Sequence, residues 1–66
     1  MIYYLDMARL KDLREKQFLS QEELAKKAET TTGTINRLEK GKQKPRFGTW
    51  RKIAKALNVE PAEIDF

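Results

Sequence analysis

Apolar residues recur at helical spacing in four stretches of the chain, and the polar breaks between them predict where each helix stops. Asp6 can cap a first helix, in which Met7, Leu10, Leu13 and Arg14 follow at steps of three and four over roughly three turns. Phe18 and Leu19 are expected to close the turn after it and to pack into the core. Ser20 followed by Glu23 is a capping-box pattern, in which each side chain satisfies a backbone donor left unpaired where a helix begins, so a second helix should start at Gln21. Leu24, Ala25 and Ala28 then face inward, and Glu22, Glu23, Lys26 and Lys27 face outward. Glu29 to Gly33 is poor in helix formers, and Thr31 within it can cap a third helix that buries Ile35 and Leu38. The opposite face of that helix carries Thr32, Gly33, Asn36, Arg37 and Lys40, without one large apolar side chain. Gly41 suits a left-handed stop and Pro45 cannot propagate a helix, so residues 41–46 form a loop. Phe47, Trp50, Ile53, Ala54 and Leu57 mark a fourth helix whose apolar face completes the core, with Trp50 read as structural rather than as a platform for a base. Asn58 is the next stop signal, and Pro61 suits the first turn of a last short helix holding Ala62 and Ile64.

A chain of 66 residues fits one domain, residues 1–66, near the lower size at which a single core offsets chain entropy. Cysteine and histidine are both absent, so a disulfide framework, a thiolate nucleophile and a zinc site are not expected, nor is any other metal or cofactor. Met1 to Leu5 is too short an apolar run for a signal-peptide core or a membrane span, which predicts a cytoplasmic protein with no membrane partner. Charge changes the picture more by its placement than by its total of +4. Residues 32–52 hold seven cations and one anion, whereas residues 53–66 hold one cation and three anions. Most of the excess therefore sits on the third helix and the loop after it, with Arg51 and Lys52 on the fourth. A local patch of this kind neutralises phosphates and releases their counterions, the electrostatic footprint of nucleic-acid binding.

Three classes of function meet these facts differently. Catalysis is disfavoured, because the acids are scattered and no phosphate-cradling glycine loop is present. A protein-interaction module, such as an antitoxin whose partner covers the acidic C-terminal end, remains an alternative. A DNA-binding regulator accounts for the polar third helix and the basic loop together. Lys26, Lys27, Arg51, Lys52 and Lys55 read as solubility charges, and Arg14, on the apolar side of its helix, needs a partner, for which Glu39 is the one acid within a basic segment.

The run Leu19 to Ala25, the run Thr34 to Gly41, then Pro45 and the run Ile53 to Val59 strongly resemble the Cro/repressor-type (Xre-like) helix-turn-helix DNA-binding domains of phage and bacterial transcription regulators, over about residues 9–64. The resemblance implies an all-α, five-helix, lambda-repressor-like domain whose third helix enters the major groove, binding double-stranded operator DNA as a homodimer on two half-sites. By position it implies base-facing roles for Thr31, Thr32, Gly33, Asn36 and Arg37. Gln21, Thr34, Lys40, Lys42 and Lys44 match phosphate-facing positions, Arg46 matches an arginine that approaches the minor groove in some relatives, and Arg14 with Glu39 matches a buried ion pair. Val59, Ile64 and Phe66, or Ile2, Tyr3 and Tyr4, lie outside the core pattern and are the expected dimer contacts.

Two positions depart from the family pattern. Glu29 stands where relatives usually carry glycine, so a residue with a Cβ is expected to take a left-handed conformation there, at about 1 kcal/mol. Gly33 stands where relatives often carry a long reading side chain, which shifts specificity towards Arg37.

Overall fold

A computed structural model of the chain describes residues 8–66. Along it run β1 (Ala8–Arg9), α1 (Leu10–Lys16), α2 (Gln21–Lys27), α3 (Thr32–Glu39), α4 (Phe47–Leu57), a 3₁₀ turn at Pro61–Glu63 and β2 (Ile64–Asp65). Leu10, Leu24, Ala25, Ala28, Ile35, Leu38, Ile53, Ala54, Leu57 and Ile64 form the core, and Leu13, Leu19, Trp50, Ala56, Val59 and Phe66 pack against it.

All four α-helices end the same way. Just past each helix one residue turns left-handed, and the amide after it reaches back to a carbonyl near the helix end, Leu19 to Arg14, Thr30 to Ala25, Lys42 to Arg37 and Val59 to Ala54. Those left-handed residues are Phe18, Glu29, Gly41 and Asn58, with φ of 58°, 56°, 72° and 58°. Only one is glycine, although glycine alone adopts this region without a Cβ penalty. Two of the starts, those of α2 and α3, are capped by side chains. Ser20 and Glu23 form the reciprocal capping box of α2, with bonds of 3.0 and 2.9 Å, and the Thr34 amide donates to Thr31 Oγ1 at 3.1 Å at the head of α3.

Several expectations need correction. The N-cap of α1 is Arg9 and the helix has two turns; Asp6 and Met7, the expected first turn, lie outside the described residues. The fifth helix is a single 3₁₀ turn, and the fold is not purely helical, because Ala8 and Arg9 pair in parallel with Ile64 and Asp65. That pairing ties the start of α1 to the chain's last residues. Phe18 is 94% exposed, since the left-handed turn sends it outward and leaves the inward place to Leu19. Phe47 is 79% exposed: it opens α4 one turn before Trp50, beyond the edge of the core. Ile64 is buried, and Val59 and Phe66 pack on the core, so these three are not a free apolar end. Trp50 donates its indole N–H to the Pro61 carbonyl at 2.7 Å and meets Phe66 edge to face at 4.9 Å. Ile2, Tyr3 and Tyr4 lie outside the described residues.

Candidate nucleic-acid interface

Burial of Leu24 and Ala25 on α2, of Ala28 at its C-cap, and of Ile35 and Leu38 on α3 packs the two helices together. The left-handed Glu29 turns the chain between them, and the outer face of α3 is left open to solvent. Thr31, Thr32, Gly33, Arg37 and Lys40 are exposed on or beside it, Thr34 is half-buried, and Lys42, Lys44 and Arg46 are exposed in the loop that follows.

Behind this face lies a polar junction. Arg14 Nε donates to Glu39 Oε2 at 2.6 Å, Arg14 Nη2 donates to Glu39 Oε1 at 3.2 Å, and Arg14 Nη1 donates to the Leu19 carbonyl at 2.7 Å. Arg14 is 9% exposed, and this arrangement satisfies its guanidinium on three sides. The hydrogen bonds to Glu39 raise the Arg14 pKa above the ordinary arginine value, against the opposing effect of burial. Gln21 Nε2 donates to Glu39 Oε1 at 3.0 Å, and Asn36 Nδ2 approaches Gln21 Oε1 at 3.4 Å. The ion pair of α1 and α3 therefore also orients Gln21 at the start of α2. A cleft of about 340 Å³ opens over it, lined by Lys11, Arg14, Gln21, Asn36, Glu39 and Lys40. Asn36 turns towards α2 and is half-buried, whereas Thr32, Gly33 and Arg37 stand on the open side.

Arg37 is held in place on that side. Its Nε donates to Gln43 Oε1 at 3.0 Å, and its Nη2 lies 3.4 Å from Thr34 Oγ1. Gly33 leaves room for it, since a Cβ at that position would sit 3.3 Å from Arg37 Nη1. What results is an open helix face with one oriented guanidinium fork, bordered by a cationic loop. Chemically, such a face can donate hydrogen bonds to base edges and neutralise phosphates beside them.

A helix-turn-helix family model matches residues 10–64, which include all four helices and the junction just described. This chain belongs to the Xre-like helix-turn-helix family. Two proteins of Archaeoglobus fulgidus, each named an uncharacterized HTH-type transcriptional regulator, are 41% and 44% identical to it over 56 residues. Those alignments cover 85% of this chain and 79% and 80% of the relatives. DNA-binding transcription regulation is the work of the family. Among the described residues no helix is long and apolar enough to cross a membrane.

Sequence reasoning missed Gln43, which touches Arg37 across the loop, and Gln17, whose amide donates to the Leu57 carbonyl at 2.6 Å. Gln43 had one visible signal, being the neutral residue between Lys42 and Lys44.

Proposed function

We propose that this protein is a sequence-specific transcription repressor that lays α3 in the major groove of double-stranded operator DNA. The observation that carries the reading is the open face of α3, where Arg37 presents its guanidinium among small polar groups with the cationic loop alongside. Thr31, Thr32, Gly33 and Arg37 face base edges, with Asn36 at the border of that set. Lys40, Lys42 and Lys44 neutralise phosphates, Gln21 and Thr34 donate hydrogen bonds to them, and Arg46 reaches towards the minor groove. A single eight-residue helix spans few base pairs, so two copies occupy two half-sites and multiply specificity. The protein binds rather than catalyses, and it works in the cytoplasm.

Selection of bound duplexes from a random DNA pool tests this reading. Enrichment of one common sequence, repeated with two-fold symmetry, is the expected result. A pool that stays random after repeated rounds would contradict it.

A further inference from the structure

Arg37 can meet a base edge squarely only if its guanidinium is aimed before the DNA arrives. A free arginine side chain samples many rotamers, and fixing it in one of them costs conformational entropy. Here the fixing is done in advance by a residue outside the helix. Gly41 turns left-handed at φ 72°, the Lys42 amide bonds the Arg37 carbonyl at 3.0 Å, and the chain folds back so that Gln43 lies beside Arg37.

We propose that Gln43 is a positioning residue for base recognition: its side-chain oxygen holds Arg37 Nε and thereby sets the plane of the guanidinium. This rests on the reading of Arg37 as a base contact. The bond occupies Nε, so it selects the end-on fork, in which Nη1 and the second hydrogen of Nη2 are the donors to guanine O6 and N7, the first Nη2 hydrogen being turned to Thr34. Thr34 touches the same group at 3.4 Å, and the missing Cβ at Gly33 lets the head lie low over the first turn of α3. Gln43 is suited to this task as a neutral acceptor, because an acid at the same place would stand between Lys42 and Lys44 and repel phosphate.

The experiment repeats the selection from random duplexes with the full chain and with Arg37→Ala, Gln43→Ala and Gln43→Glu. Titrations on random-sequence DNA at fixed salt and circular dichroism are run for each. Arg37→Ala should flatten the preference at one base pair per half-site, where a good bidentate contact discriminates by roughly tenfold or more. Gln43→Ala should weaken preference at that same base pair, by roughly threefold to tenfold, and leave random-DNA affinity unchanged. Gln43→Glu keeps the acceptor oxygen, so it should restore the preference while weakening random-DNA binding. If Gln43→Ala altered a different base pair, Gln43 would be reading DNA itself and the positioning role would be wrong. If it altered none while Arg37→Ala still did, the positioning role would fail alone. If Arg37→Ala altered none, the base-reading assignment would fail first and this inference with it.

Discussion

Arg14 on α1 and Glu39 on α3 face each other in a two-pronged ion pair, 2.6 Å from Nε to Oε2 and 3.2 Å from Nη2 to Oε1, with both side chains at most one-tenth exposed. The pair joins two helices through residues 25 positions apart in sequence, and Gln21 donates to the same carboxylate. Removing one member leaves the other charged and buried, so Glu39→Ala should cost about 3 kcal/mol, read from the urea midpoint. Replacing both, Arg14→Met with Glu39→Leu, should cost less than the sum of the two single changes. Additive losses would show that the two residues do not act as a pair.

The left-handed helix stops give a prediction of the opposite sign. Phe18 and Glu29 hold φ near 58° and 56° although neither is glycine. Phe18→Gly and Glu29→Gly should each raise stability by about 0.5–1 kcal/mol, because both side chains are exposed and the backbone strain is relieved. Glu29 also lies 3.8 Å from Lys52, but an exposed pair of that kind is worth little. Thermal denaturation checks it, and a lower midpoint for either glycine variant would refute the strain.

How far the sequence alone leads is visible at these same residues. Ser20, Glu23 and Thr31 announced their caps because capping is local chemistry, and Glu29 stood out by occupying a glycine position. Phe47 was misplaced because periodicity tells which side of a helix is apolar, not how far the opposing core extends, and Phe18 because a left-handed turn at a non-glycine residue carries no local signal. A parallel pairing of two residues, Ala8–Arg9 with Ile64–Asp65, carries no local pattern at all. At the interface the polar face of α3 and the basic loop were legible from residue types, whereas the hydrogen bond from Arg37 to Gln43 depends on how the loop folds back.

The capping box predicts a pH dependence. The hydrogen bond donated by the Ser20 amide, with the Ser20 side chain, Lys27 and Lys26 nearby, holds Glu23 below the ordinary glutamate value of 4.5. The unfolded chain therefore binds the proton more readily, so the stabilisation is present above about pH 4.5 and is lost as pH falls through the lower folded-state value. Glu23→Gln should flatten the stability profile below that pH. Ser20→Ala should cost about 1 kcal/mol at neutral pH. Urea midpoints between pH 3 and 7 read both effects, within the acid range where carboxylates titrate, and an unchanged acid slope for Glu23→Gln would refute the first.

The loop lysines should supply affinity without specificity. Lys42 and Lys44 are exposed beside α3, and each phosphate that is no longer neutralised should lower the slope of log K against log salt by roughly 1. Lys42→Ala and Lys44→Ala should weaken selected and random duplexes alike. A slope unchanged in both variants would remove them from the interface.

The central claim is that the face of α3 around Arg37 reads DNA sequence. Anisotropy titrations of the full chain at one fixed salt, against a selected duplex and a scrambled duplex of the same length and composition, test it most directly. The account predicts tighter binding to the selected duplex, by on the order of 10³-fold, with Arg37→Ala erasing a large part of the difference and leaving the scrambled duplex nearly unaffected. Equal affinity for the two duplexes, with the fold intact by circular dichroism, would contradict it.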